Sequence, residues 1–204
     1  SQSFDVVLGN PPFIRYQDFP DQHRQPAFSL MNKEGLHPNR LTNAWLPFVV
    51  AATVALKSGG RIAMVVPAEL LQVNYASELR EYLARKYSNL KVVTFRKLTF
   101  PGIQEETVLL LGVRQDSVAS EISFVELDGV EELSVPRVDS TCTSHVRLNH
   151  GLEKWTQFFL TPKELGLIRE LESSDAFCKL GELAEVDVGV VTGRNEYFVL
   201  TQEE

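Results

Sequence analysis

Apolar residues fall in short blocks divided by turn formers, and along the first half of the chain two periods alternate. Phe4-Asp5-Val6-Val7-Leu8 is a compact apolar run that ends at Gly9-Asn10-Pro11-Pro12. Two consecutive prolines cannot continue a sheet ladder, so the run predicts a buried strand stopped by a rigid turn. Residues 14–40 are polar and mixed and carry Pro20, Pro26, Gly35 and Pro38, which predicts a surface excursion, a lid or ligand-facing loop. Thr42 or Asn43 can cap a helix from Ala44 to about Lys57. In that stretch Trp45, Phe48, Val49, Ala52, Ala55 and Leu56 recur at helical spacing, and Ser58-Gly59-Gly60 marks its end. Arg61 to Val66, closed by Pro67, predicts a second buried strand; Ala76 to Tyr87 an amphipathic helix; Leu90 to Phe95 a third strand.

Strand, helix, strand, helix, strand is the order of parallel α/β winding. The pattern then changes. Thr107 to Val113 is an apolar β run separated from Phe95 by a stretch containing Pro101-Gly102 that is too short for a crossover helix, so an antiparallel hairpin is expected there. Residues 121–127 give one more strand, after which 134–151 lose periodicity. The expected organisation is residues 1–133 as one catalytic half-domain, 134–161 as a linker, and 162–204 as the start of a second, β-containing module. That last part has a helix over Pro162 to Glu172 and a Val-rich stretch from Val186 to Leu200.

Composition narrows the class. With 44% hydrophobic and 23% charged residues, and no apolar run near the length of a membrane span, disordered and membrane classes are disfavoured. Cys142 and Cys178 form no Cys-x-x-Cys pair, and His23, His37, His145 and His150 have no partner at metal-ligand spacing. No metal is expected, and a reducing, cytoplasmic setting fits. The net charge of −7 disfavours a non-specific nucleic-acid binder, but it is uneven. Residues 1–100 hold 12 Lys+Arg against 7 Asp+Glu and residues 101–204 hold 8 against 20, so the first part could face an anion and the second as a whole could not.

The sharpest signal is Asn10-Pro11-Pro12-Phe13 directly after a buried strand. On these residues the sequence resembles the N6-adenine DNA methyltransferases, in particular the methylase parts of restriction–modification enzymes. Phe4 to Phe13 is similar to that family's motif IV with its strand, Asn43-Ala44-Trp45-Leu46-Pro47-Phe48 to its motif V, and Gly60 to Pro67 to its fifth strand. Leu98-Thr99-Phe100-Pro101 before Thr107-Val108-Leu109-Leu110 resembles motif VIII and the antiparallel seventh strand. Val188 to Asn195 resembles the segment that opens the target-recognition domain.

The residue types fit such chemistry. An exocyclic aromatic amine is a poor nucleophile because its lone pair is delocalised into the ring. Acceptors on its two N–H bonds favour a pyramidal nitrogen whose lone pair is free to attack. Asn10 offers a side-chain carbonyl, and Pro11 a backbone carbonyl on a segment of fixed φ. A duplex base must be flipped to reach such a site, and Phe13 can stack on it.

The resemblance implies the fold of the C-terminal half of a Rossmann-like, S-adenosylmethionine-dependent methyltransferase sheet with an antiparallel last hairpin. It implies Asn10, Pro11, Pro12 and Phe13 as catalytic residues and Phe100 as a substrate-binding residue, a second aromatic contact on the flipped base; Arg194, beside Gly193, is a further substrate-binding candidate that could hold the DNA backbone or finish a β-turn. S-adenosylmethionine is the implied cofactor of the intact enzyme, and double-stranded DNA its partner, with no membrane. The glycine-rich loop that binds the cofactor precedes motif IV in the family, and no substitute for it is found here, so this chain alone is expected to be inactive. Self-association or a restriction subunit is an expected further partner. Arg15, Arg24 and Arg40 could touch phosphate, and Asp5 could orient the turn. Alternatives are a methylase of an RNA base or protein glutamine, and a non-catalytic DNA-binding or assembly module.

Overall fold

The apolar runs form five strands: β1 (Phe4–Gly9), β2 (Leu56–Pro67), β3 (Tyr87–Phe95), β4 (Thr107–Arg114) and β5 (Ile122–Leu127). This computed structural model describes residues 4–97, 106–115, 122–133, 150–151 and 153–185. The strands make one mixed sheet in the order β1-β2-β4-β3-β5. β1 runs parallel to β2, and β3 parallel to β5, while β4 lies antiparallel between β2 and β3. The reversal expected at residues 107–113 is therefore present, and β4 pairs on both sides, Val66 with Val108 and Val93 with Leu109.

One face of the sheet is buried through Ile62, Met64, Val66, Leu110 and Val92. Contacts on the sheet come from α2 (Trp45–Ala55), which meets β2, and α3 (Ser77–Lys86), which meets β3. On the alternate positions Val93, Val125 and Leu127 form a smaller core with Phe95, Leu109 and Leu111 packed against it. Phe124 stacks on Phe158 at 4.2 Å and meets the edge of Trp155 at 6.0 Å, which pins the short 3-10 turn Trp155–Phe159.

Three local readings change. Residues 14–40 are not an irregular loop: they contain α1 (Asp21–Lys33), with Phe19, Met31 and Leu36 buried. Pro26 lies inside that helix and removes one backbone bond, an effect that the packing of Phe28 on Tyr16 and Phe19 offsets. The second helix stops at Ala55, and Ser58-Gly59-Gly60 belongs to β2. Its last carbonyls are taken by the buried Arg114 guanidinium, which donates to Thr53 O at 2.7 Å and to Leu56 O, so a side chain from β4 ends the helix where glycine was expected to. Between Phe4–Leu56 and Val6–Arg61 the β1–β2 register shifts, and residues 57–60 bulge with Gly59 at φ +80°. At the start of α2, neither Thr42 nor Asn43 caps: Thr42 accepts from Asn39 N–H, and Asn43 is used elsewhere.

The chain divides into two compact units, Ser1–Pro162 and Lys163–Glu204. In the second, the described residues hold most of α4 (Pro162–Ser173) and the single turn α5 (Leu180–Leu183). The Val-rich stretch from Val186 to Leu200 lies outside the described residues, as does most of the expected linker.

Candidate active site at the carboxyl end of β1

Pairing of Gly9 with Met64 carries β1 to the end of its ladder, and Asn10 leaves it at the carboxyl end of two parallel strands, where ligands bind in open α/β sheets. Pro11 is buried and anchors the turn, Asn10 and Pro12 are exposed, and Phe13 is half-buried. A buried proline between exposed neighbours fixes the backbone while leaving the Asn10 amide accessible. The four residues expected to act together are thus together by sequence and placed at a sheet end.

Two hydrogen bonds then bind the outgoing chain to the entry of α2. Ala44 N–H donates to Ile14 O at 2.8 Å, and Tyr16 N–H donates to Asn43 Oδ1 at 3.1 Å. The far side of Asn43 is also held, because its Nδ2 donates to the Tyr75 hydroxyl at 3.0 Å and to Glu69 Oε2 at 3.4 Å. Tyr75 in turn donates to Glu69 Oε2. Burial first, then the Glu69 carboxylate, pushes the Tyr75 hydroxyl well above the ordinary phenol range, so it stays protonated and remains a donor.

A groove of about 560 Å³ opens beside the turn and is lined by Asn10, Pro11, Pro12, Phe48, Ala51 and the exposed side of β1. Phe48, which helical spacing placed with the core, is 46% exposed there. Phe4, Val6 and Leu8 are also exposed, because β1 ends the sheet order instead of sitting within it. A second groove lies between Tyr16, Arg24, Phe28 and Lys33.

The remaining candidates separate. Arg24 is built into the fold: it stacks over Tyr16 at 4.3 Å, donates to Tyr16 O and Phe19 O, and pairs with Asp21. Arg15 and Arg40 are exposed. Asp5 does not orient the turn; it is exposed and pairs with Lys57 at 3.0 Å. His150 is half-buried and accepts from Trp155 Nε1 at 3.2 Å, and burial lowers its pKa. Among the described residues, no three His, Cys, Asp or Glu side chains gather in a metal-binding group. Phe100 and Arg194 lie outside the described residues. The stretch 98–105 that holds Phe100 joins the carboxyl end of β3 to the start of β4, where Glu106 O accepts from Ala68 N–H at 2.8 Å. Phe95 at the end of β3 and Thr107 at the start of β4 therefore lie at the same end of the sheet as Asn10. Sequence reasoning missed Glu69 and Tyr75, gave Asn43 only as a cap or as part of motif V, and gave Phe48 only as a helix-face residue within motif V.

A five-stranded α/β sheet with an antiparallel strand inserted among parallel ones, and an Asn-Pro-Pro-Phe turn at a carboxyl end, defines a Rossmann-like methyltransferase architecture. Comparison with known proteins agrees. Residues 1–100 match the family model "Eco57I restriction-modification methylase", and residues 152–204 match "Type II methyltransferase M.Eco57I, C-terminal domain". The Type II methyltransferase M.HindII of Haemophilus influenzae is 22% identical over 96% of this chain and 40% of its own length. M.AccI of Acinetobacter calcoaceticus is likewise 22% identical, over 96% of this chain and 36% of its own. M.TthHB8I of Thermus thermophilus is 30% identical over 53% of this chain and 26% of its own. A nuclease-deletion mutant of the Type ISP restriction–modification enzyme LlaGI, solved with a DNA substrate mimic, superposes with a TM-score of 0.49 at 13% identity, over 63% of this chain and 16% of that one. Over most of its length the chain is therefore similar to restriction–modification methyltransferases. It spans about two-fifths of the length of the first two relatives, 40% and 36%. Among the described residues no helix is long and apolar enough to cross a membrane.

Proposed function

We propose that this chain supplies the base-holding part of a site-specific adenine-N6 DNA methyltransferase of a restriction–modification system. The observation that carries the reading is the turn itself, with the exposed Asn10 amide and the buried Pro11 at the carboxyl end of β1. Asn10 Oδ1 and the Pro11 carbonyl accept the two N–H bonds of the adenine amine, drawing its lone pair out of the ring. Phe13 stacks on the flipped base, and Phe100 is proposed as its second aromatic contact. Arg194 is proposed to hold the DNA backbone. Residues 162–204 then begin the module that reads the target sequence, with 134–161 linking it to the catalytic part at 1–133.

The groove beside the turn fits one side of S-adenosylmethionine. Its walls are mostly apolar, and the half-exposed Phe48 ring can lie against a flat heterocycle; among the described residues no acidic side chain lines it to take ribose hydroxyls. Phe48 and Pro11 would hold that side of the cofactor, which supplies an electrophilic methyl group on a sulfonium sulfur. The chain's own residues hold the amine, exclude water from its lone pair, and form no covalent bond to substrate.

Support for DNA as substrate comes from the restriction–modification methyltransferases that the chain is similar to. The test is to incubate the full-length protein with tritiated S-adenosylmethionine and unmethylated DNA, RNA or a glutamine peptide, then to identify the labelled product. Label in N6-methyladenine of DNA supports the reading; label only in RNA or peptide, or none, overturns it. Asn10→Ala should lower turnover by roughly a hundredfold or more while DNA binding persists.

A further inference from the structure

The bonds that hold the outgoing end of the Asn10–Phe13 turn converge on a carboxylate with no part in the chemistry above. Asn43 is an amide whose two ends are chemically different, and it can secure Tyr16 N–H only with Oδ1 facing the turn. Its orientation is decided on the other side, where Tyr75 and Glu69 both present oxygen to Nδ2. A flipped Asn43 would set its carbonyl against the Glu69 carboxylate and its amino group against the Tyr16 N–H, which is unfavourable at both ends. The Tyr75 hydroxyl cannot reverse the preference, because its proton is committed to Glu69.

The segment carrying Glu69 and Tyr75 is itself immobilised. Arg80 is 2% exposed, and its Nη1 donates to Leu70 O at 3.1 Å and to Val73 O at 3.0 Å, so a buried guanidinium fixes the two ends of the stretch between them. Leu70, Leu71 and Ala76 are buried around it. The chain of contacts runs from a rigid base through Glu69, Tyr75 and Asn43 to Tyr16, three residues beyond Phe13. A second, parallel bond from Ala44 to Ile14 means that both strands of this crossing move together.

We propose that Glu69, acting through Tyr75 and Asn43, is a positioning residue that sets where Phe13 and the Asn10 amide meet the flipped base. This rests on the catalytic reading of the Asn10–Phe13 turn. Displacement of reacting groups by about an ångström can cost on the order of a hundredfold in rate, so a tether of this kind acts on turnover more than on substrate affinity.

The test uses the full-length protein with Asn43→Ala, Glu69→Ala, Glu69→Gln, Tyr75→Phe and Asn10→Ala. Amide hydrogen exchange at Tyr16 should quicken by about tenfold in Asn43→Ala, which loses its acceptor, and less in Glu69→Ala. With unmodified duplex DNA, the single-turnover rate should fall by between about tenfold and a hundredfold in Asn43→Ala with KM changed less than about threefold, and flipping is followed separately on a duplex with 2-aminopurine in place of the target adenine, which lacks the 6-amino group and is not methylated. Glu69→Gln keeps an acceptor oxygen and should recover most of what Glu69→Ala loses; Tyr75→Phe, which leaves the Glu69 contact to Asn43, should be intermediate. The flipped-base fluorescence should shift in Asn43→Ala and Glu69→Ala, since Phe13 no longer stacks in register. If Asn10→Ala is inactive while Asn43→Ala and Glu69→Ala keep wild-type kcat and fluorescence, this proposal is wrong and the catalytic reading stands. If Asn10→Ala keeps full turnover, both fall. If Glu69→Gln is as impaired as Glu69→Ala, the acceptor argument is refuted.

Discussion

Replacing Phe48 by alanine separates the two roles open to an aromatic ring on α2. A fully buried Phe→Ala change costs about 3–5 kcal/mol, but Phe48 is 46% exposed, so the fold should lose only about half of that, roughly 2 kcal/mol. The exposed part of the ring is on the order of 100 Å² and could be covered by a ligand in the groove beside Asn10 and Pro11. Covering half of it contributes about 1 kcal/mol, and stacking adds up to about 1 kcal/mol more, so the Kd for S-adenosylmethionine should rise about five- to thirtyfold. Phe48→Leu is the control: it keeps most of the volume and loses the flat face, so affinity should fall while stability is nearly retained. Calorimetric titration of the full-length protein, with urea unfolding of each variant, measures both quantities. Alanine binding cofactor within twofold of wild type, with the expected loss of stability, would show that the ring only packs.

Arg114→Met should be costly, because it leaves at least two buried carbonyls at the end of α2 without donors, about 2–5 kcal/mol by urea unfolding; a loss below about 1 kcal/mol would show that water replaces the guanidinium. The 204-residue chain should self-associate through β1, whose Leu8 is 75% exposed on an edge strand, and Leu8→Lys should suppress this. Light scattering from a monomer, with slow hydrogen exchange at Val6 and Val7, would contradict that prediction. Burial raises the Tyr87 hydroxyl to about 12, above its ordinary 10.0, and its contribution to stability is present below the unfolded value and lost as pH rises through the folded one. Stability should therefore drop between pH 10 and 12 more steeply than in Tyr87→Phe, and equal slopes for the two proteins would refute the assignment.

What could be read from the sequence was what neighbouring residues decide. β1 and its turn are legible because an apolar run meets two prolines, and the reversal at β4 because the connection from Phe95 is too short for a crossover. α1 was hidden by Pro20, Pro26 and a polar composition; it is held by Tyr16, Phe19 and Phe28, whose packing is tertiary. The end of α2 was misplaced because the residue that caps it is 58–61 positions away on β4. In the site, Asn10 to Phe13 form one contiguous motif. Glu69 and Tyr75 meet Asn43 from a separate segment with no spacing that links them to it, so no local pattern announces the contact.

The placement of β4 also bears on how the molecule assembles. β1–β2 and β3–β5 are two parallel pairs, and among the described strands only β4 makes ladders to both. Without residues 107–114 in place, no ladder joins the pair that ends at Asn10 to the pair that ends at Phe95. The carbonyls at the end of α2 wait for the same strand, since Arg114 is its last residue. The β2–β4 ladder pairs residues far apart in sequence, a kind of contact that forms slowly because loop-closure entropy is lost before the pairing is gained. Without β4, the Asn10 turn would sit on the β1–β2 pair alone.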